Sequence, residues 1–157
     1  MDIRPWINNG FIEPHENRIN EDRIIEDIYK QLDFFKVQMI VYDPYSAHNI
    51  VSRLKGDLEV LKQCEILPYP QNIIHISPAA KYLEKLILEE NINVGQNPVL
   101  RYCNSNARVR FSITSNLIRI VKDEQLNPID SIIALIMSLG AYIETEYDEV
   151  NHLLGEN

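Results

Sequence analysis

The uncharged segment Val37 to Tyr42 (VQMIVY) is the sequence feature that most restricts the fold of this chain. Its apolar residues stand at both odd and even positions, so neither face of an extended segment would suit water. A strand that is apolar on both faces is typical of the buried, parallel part of a sheet. The segment therefore predicts a central strand that needs neighbours on both edges.

The segments around this strand alternate between helical and strand patterns. Apolar residues recur at helical spacing before it and after it, and a short apolar run follows the second helix. The order helix, strand, helix, strand, helix favours right-handed crossovers and a parallel sheet. The predicted elements are helices from Asn20 or Glu21 to Leu32, from Ser46 to Leu61 with an optional break at Gly56, and from Ser77-Pro78 to Glu90, and a strand from Cys64 to Leu67.

The pattern changes in the last third of the chain. The segment ARVRFSIT, Ala107 to Thr114, alternates apolar and polar residues, and Leu117 to Lys122 follows after a short polar turn. This arrangement predicts a β-hairpin with one solvated, basic face. A long apolar helix is predicted to begin near Asp130.

The composition is that of a globular chain, and we predict a single domain over residues 1–157, with an irregular segment at 1–19 and a loose tail at 150–157. Cys64 and Cys103 stand far apart, outside any CxxC or Cys/His cluster, which favours a reducing cytoplasm over a disulfide framework or zinc site. The longest uncharged apolar-rich run, 131–143, is too short to span a bilayer, so no membrane partner is predicted.

The charge distribution is uneven. The formal net charge of −8 argues against nucleic-acid binding for the chain as a whole. However, residues 91–122 contain five Lys or Arg residues and no acid, whereas residues 123–157 contain eight acids and no Lys or Arg. One interpretation is a phosphate-facing surface beside a metal-holding carboxylate site. The other is chance clustering on a solvated surface.

Two aspartates stand where a ligand could bind. Asp43 follows the predicted strand at its carboxyl end, where open α/β sheets bind ligands, but an Asp-Pro pair also initiates turns. Asp130 begins the last helix, where an aspartate also serves as a cap. Together the two carboxylates could hold a hard cation such as Mg²⁺, and a pair of such ions hydrolyses phosphodiesters. A metal pair normally requires a third acidic ligand.

Four stretches of the sequence together carry a resemblance to a known family. They are WINNGFIEPHENRINEDRIIEDI, VYDPYSAHNIVSRL, SPAAKYLEKLILEENINVGQNPVLRYCNSN and IRIVKDEQLNPIDSIIALIMSLGA. In this order they resemble the C-terminal part of the nuclease domain of tailed-phage terminase large subunits, the DNA-packaging motors. The resemblance covers nearly the whole chain. Tyr102 stands where this family usually has tryptophan.

The resemblance implies an α/β, incomplete ribonuclease-H-like fold: a mixed sheet flanked by helices plus a β-hairpin, with the first three strands missing because they would precede Trp6. It implies metal-dependent, sequence-tolerant cleavage of double-stranded DNA in a phage-infected or prophage-bearing bacterium. Asp43 matches the second catalytic aspartate and Asp130 the last, and both are expected to bind Mg²⁺ or Mn²⁺. Arg101, Asn106 and Lys122 match motif positions that are either structural or DNA-facing. The residues expected to guide DNA phosphates are Arg108, Arg110, Arg119 and Lys122.

Two functional hypotheses follow from this resemblance. In the first, the chain is a nuclease-domain piece that is weak or inactive alone, because the first catalytic aspartate belongs to the missing strands. In the second, it is a non-catalytic remnant that keeps the fold and binds a protein partner, with Asp43 and Asp130 acting only as turn former and helix cap. In both, the open edge of the Val37–Tyr42 strand favours pairing with the missing N-terminal part or with a second copy.

Overall fold

A computed structural model describes residues 2–15, 18–45 and 47–154, and the side chains of these residues up to 146. The chain divides into two compact units, Pro14–Pro70 and Met1–Glu13 with Gln71–Asn157. The single domain stays a prediction. The helices are α1 (Arg4–Asn8), α2 (Glu21–Phe34), α3 (His48–Lys55), α4 (Leu58–Gln63), α5 (Ile73–Leu88), α6 (Pro98–Asn106) and α7 (Asp130–Leu154). The strands are β1 (Met39–Tyr42), β2 (Glu65–Pro68), β3 (Ala107–Phe111) and β4 (Ile118–Lys122).

The unit Pro14–Pro70 consists of a parallel strand pair covered by helices. The side chain of Asn20 caps α2 by accepting from the backbone N–H of Arg23. β1 and β2 pair in parallel, with Ile40 opposite Ile66. Burial of the apolar sides of the helices against these strands supplies the main stabilisation of the unit. Its buried core comprises Ile25, Leu32, Val51, Leu54, Val60, Cys64 and Ile66.

The other unit is built on the packing of α5 against α7, with α6 against α7 and the hairpin β3–β4 against α5. β3 and β4 pair antiparallel, with Val109 opposite Ile120. Side chains from both long helices are withdrawn from water at their interface. The buried apolar residues of α5 and α7 are Ile76, Ala79, Ala80, Leu83, Ile132, Ile136, Met137 and Ala141.

The α/β class is confirmed, but the single mixed sheet is not what the described strands form. They form two separate sheets of two strands each, one parallel and one antiparallel. β1 is also shorter than predicted, because Val37 lies outside the ladder and Gln38 contributes only its carbonyl oxygen, which accepts from Glu65 N–H. In the described part of the chain, β1 therefore has one neighbour and not two.

The third predicted helix begins five residues earlier than predicted. The Ser77-Pro78 pair suggested a helix start, but α5 begins at Ile73. The side chain of Asn72 accepts from the N–H groups of Ile74 and His75, so the cap lies there and Pro78 stands inside the helix.

The predicted helix from Ser46 to Leu61 is two helices. The first helix, α3, ends at Lys55 with Gly56 as its C-cap. The side chain of Asp57 then caps α4 by accepting a hydrogen bond from the backbone N–H of Glu59 at 2.9 Å. The predicted start at Ser46 lies outside the described residues, and α3 itself begins at His48. The optional break at Gly56 is thus confirmed.

Both ends of the chain are more regular than predicted where they are described. Arg4–Asn8 form a short helix within the segment expected to be irregular, and the turn that follows it contains Gly10, whose φ of 73° suits glycine. At the other end, the helical backbone of α7 continues to Leu154. The end of the predicted tail, 155–157, lies outside the described residues. Among the described helices, none is both long and apolar enough to cross a bilayer.

Candidate metal and nucleic-acid site

Asp43 directly follows the last residue of β1, as the sequence predicted. Its side chain is half-buried, and its Oδ1 accepts a hydrogen bond from the backbone N–H of Tyr45 at 3.0 Å. An aspartate that bonds the backbone two residues ahead shapes a turn. A carboxylate has about four acceptor positions on two oxygens, so this turn contact is compatible with metal ligation.

Asp130 is the first residue of α7 and is exposed to solvent. Its carboxylate makes no hydrogen bond or ion pair with another residue in the described part of the chain. The capping hydrogen bond of the alternative interpretation is therefore not formed within this part. The position at the helix start still places the negative charge favourably near the helix dipole.

The entry to α7 is held in place by Asn106. This residue is only 7% exposed, and its Nδ2 donates to the carbonyl oxygen of Pro128 at 3.0 Å. Its own carbonyl oxygen accepts from the N–H of Asp123 at 2.8 Å. Asn106 therefore connects the start of the hairpin to the segment before Asp130, which is a structural role. The hydroxyl of Ser131, the residue after Asp130, is buried without a hydrogen-bond partner among the described residues.

The two aspartates have the right donor type for Mg²⁺ or Mn²⁺, because hard cations prefer carboxylate oxygens. However, two ligands are too few for a metal pair. The described residues contain no group of three His, Cys, Asp or Glu side chains that could hold a metal. Asp43 belongs to the unit Pro14–Pro70 and Asp130 to the other unit. The chain thus offers two candidate ligands, one in each unit.

The hairpin register separates the predicted DNA-contacting residues into two sets. Arg110 stands directly opposite Arg119, and Arg108 opposite Val121, so the three arginines share one face of the hairpin. Lys122 stands opposite Ala107 and belongs to the other face. The basic face of the hairpin therefore consists of the three arginines.

The three arginines on this face differ in their partners. Arg108 forms an ion pair with Asp123 at 2.6 Å and donates to the carbonyl oxygens of Ser105 and Ala107. Arg110 and Arg119 are exposed, and neither has an acidic partner among the residues that the structure describes. Like charges directly opposite on a sheet are unfavourable unless an anion lies between or above them. The positive charge of this pair suits a phosphate.

The apolar face of the hairpin is less covered than the sequence suggested. Val109 is 50% exposed and Phe111 is 77% exposed. Together with Ile87 and Leu88 of α5, these side chains line an apolar groove of about 380 Å³. Neither face of the hairpin is thus fully buried in the described structure.

Comparison with known proteins shows the family to which this sequence is similar. The family model described as the terminase large subunit, endonuclease domain, matches residues 1–146. The large subunit of the terminase of Enterobacteria phage HK97 is 22% identical over 138 residues, which is 87% of this chain and 26% of that protein.

A solved structure gives the same result for the fold. The crystal structure of the HK97 bacteriophage large terminase matches with a TM-score of 0.73 at 21% identity. The match covers 88% of this chain and 28% of that one, so the chain spans about a quarter of the length of these relatives. Since the family model extends over most of the sequence, the chain belongs to the terminase large subunit endonuclease-domain family.

Proposed function

We propose that this chain is the C-terminal part of a metal-dependent DNA endonuclease domain from a phage terminase large subunit. The observation that carries the proposal is the family match over residues 1–146. The placement of Asp43 at a strand end and of Asp130 at a helix start supports it, because both are positions where a carboxylate can meet a ligand. The proposed fold of the complete domain is ribonuclease-H-like.

Asp43 and Asp130 are the proposed metal ligands. A bound pair of Mg²⁺ or Mn²⁺ ions would neutralise charge on the scissile phosphate and activate water. The turn contact to Tyr45 N–H holds the Asp43 carboxylate at the end of β1, and the bonds of Asn106 hold the segment that leads to Asp130. The further ligand that such a site needs would come from another part of a longer chain or from a second copy. Alone, the chain would be weak or inactive.

The basic face of the hairpin is the proposed path of the DNA backbone. Arg110 and Arg119 supply two exposed guanidinium groups side by side, and Arg108 contributes less because Asp123 offsets its charge. Lys122, at the end of β4, would contact DNA from the other side of the hairpin. Contacts of this kind carry no sequence information, which suits sequence-tolerant cleavage of double-stranded DNA.

The open edge of β1 is the proposed attachment point for the upstream part of a terminase large subunit. β1 pairs with β2 on one side only in the described structure, and its four residues are uncharged and half-buried. An unpaired edge presents backbone groups that another strand can satisfy. A second copy of the chain is the other candidate for this edge.

Cleavage of supercoiled plasmid DNA tests the proposal. The chain is assayed with Mn²⁺, Mg²⁺ or a chelator, alongside Asp43→Asn and Asp130→Asn. Asp33→Asn is the matched control, because Asp33 is an exposed aspartate of α2. Metal-dependent nicking that both site variants lose and the control keeps would support the proposal. Nicking that survives both substitutions would contradict it.

A non-catalytic role is the second candidate, and one observation favours it. No third acidic, histidine or cysteine side chain joins either aspartate in the described residues. If the chain shows no nicking, the assay is repeated with the remainder of a terminase large subunit supplied in trans. Continued inactivity of the mixture, in spite of a stable complex, would favour the remnant over the nuclease piece.

A further inference from the structure

A recess beside α6 combines aromatic and cationic side chains outside the carboxylate site. The indole of Trp6 and the ring of Tyr102 lie with their centroids 5.6 Å apart and their planes tilted by 53°. Arg101, the neighbour of Tyr102, opens onto the same recess of about 470 Å³. The lining residues are Trp6, Gln96, Pro98, Arg101, Tyr102 and Ser105.

The charge in this recess has no counter-ion among the described residues. Arg101 is exposed and forms no ion pair there, and none of the six lining residues is acidic. The sequence from 91 to 122, which contributes five of the six, has no acid at all. A guanidinium in such surroundings is available for an anion.

The other side chains suit a planar group with polar edges. An aromatic ring stacks on any base, because every base has a π-face. Gln96 offers both a donor and an acceptor, and the Ser105 oxygen can still accept while its hydroxyl donates to the Tyr102 carbonyl at 2.8 Å. The recess volume lies in the range of small-ligand sites and exceeds what a phosphate alone would require.

A purely structural role would explain only half of these features. Packing of Trp6 on Tyr102 holds α1 against α6, and this contact alone would account for the half-buried indole. It does not account for an unpaired guanidinium beside the rings. We propose that the recess binds one unpaired nucleotide of the DNA substrate, with its base on Trp6 and its phosphate on Arg101. The proposal rests on the function proposed above, since it presumes a DNA substrate.

Tryptophan fluorescence tests this assignment directly, because Trp6 is the only tryptophan in the chain. A single-stranded oligothymidine of about ten nucleotides is titrated into the protein in a chelator, so that no cleavage occurs. Saturable quenching is expected. Arg101→Ala should weaken the apparent affinity about fivefold or more. Lys85→Ala, an exposed lysine of α5 outside the recess, should change it less than about twofold.

Three further probes distinguish the base, the phosphate and the source of the nucleotide. An abasic oligomer, which keeps the phosphates, should leave the fluorescence nearly unchanged, and a blunt duplex should quench weakly because its bases are stacked internally. Free dTMP should quench only at much higher concentration than the oligomer, because it lacks the neighbouring phosphates. Equal affinity for dTMP and the oligomer would assign the recess to a free nucleotide and overturn the proposal.

Two other results would also overturn it. One is quenching that Arg101→Ala leaves intact, and the other is no quenching by the oligomer in a protein whose circular dichroism shows it to be folded. The quenching assay is run in a chelator, so its outcome does not depend on nicking and separates this inference from the proposed function. Asp43→Asn, which removes a proposed metal ligand outside the recess, should keep the quenching that Arg101→Ala weakens.

Discussion

The hydroxyl oxygen of Ser77 accepts a hydrogen bond from the backbone N–H of Ile118 at 2.9 Å. Ser77 is fully buried, and Ile118 is 5% exposed. The bond therefore joins the interior side of α5 to the first residue of β4, and it satisfies a backbone donor that is closed off from water. Because β4 carries Arg119 and pairs with β3, this single contact helps to position the basic face of the hairpin.

Ser77→Ala should destabilise the protein by about 1–3 kcal/mol, because it leaves the Ile118 N–H buried without a partner. Urea denaturation followed by circular dichroism measures the loss. Ser138→Ala is the control, since that serine is exposed and bonds only its own helix. Equal stabilities of the two variants would contradict the importance of the Ser77 contact.

Asn72→Ala should cost about 1 kcal/mol of unfolding free energy, because its side chain accepts from two N–H groups at the start of α5. Asn72→Ser should restore most of this loss, since serine is also a good cap. Thermal denaturation of both variants checks the order of stability. A helix that began at Ser77, as the sequence suggested, would make both substitutions neutral.

Burial raises the pKa of the Cys64 thiol. Only the thiolate reacts with disulfide reagents, so Cys64 should react slowly in the folded protein at neutral pH and quickly in urea. The raised pKa of Cys64 also makes the free energy of unfolding depend on pH. The stabilising contribution of the protonated thiol is complete below the pKa that the thiol has in the unfolded chain. It is lost as the pH rises from there through the pKa of the thiol in the folded protein. Mass spectrometry of the labelled peptides distinguishes Cys64 from Cys103, which is also buried.

Arg110→Ala and Arg119→Ala should each weaken binding to double-stranded DNA and reduce the slope of log affinity against log salt by about one. The reason is that each exposed guanidinium would neutralise a phosphate. Arg108→Ala should have a smaller effect, because Asp123 already offsets its charge. Fluorescence anisotropy over a salt series measures the slopes.

The control for this series is Lys62→Ala, which removes a charge from α4, outside the hairpin. It should leave the slope unchanged. If Arg108→Ala reduced the slope as much as Arg110→Ala, the Asp123 ion pair would not persist in solution. If none of the three arginine variants changed the slope, the hairpin would not be a DNA contact.

Local signals in the sequence predicted much of the secondary structure. The apolar spacing and the Asn20 cap of α2 agree with the structure within about two residues, as does the break at Gly56. α6 was not predicted, although Asn97 followed by Pro98 is a cap and first-turn pair that could have indicated it. Signals of this kind depend on neighbours along the chain, so they can be read without the fold.

The sequence by itself therefore determined α2, the α3–α4 pair and α7, the hairpin and the family to which the chain belongs. Only the tertiary structure decided that Ser77 bonds β4 and does not begin a helix, that Arg110 faces Arg119, and that Lys122 stands on the opposite face. The physical reason is that these relationships depend on strand register and on packing between distant segments. A shift of one residue in register would exchange the faces of the hairpin while leaving the sequence pattern unchanged.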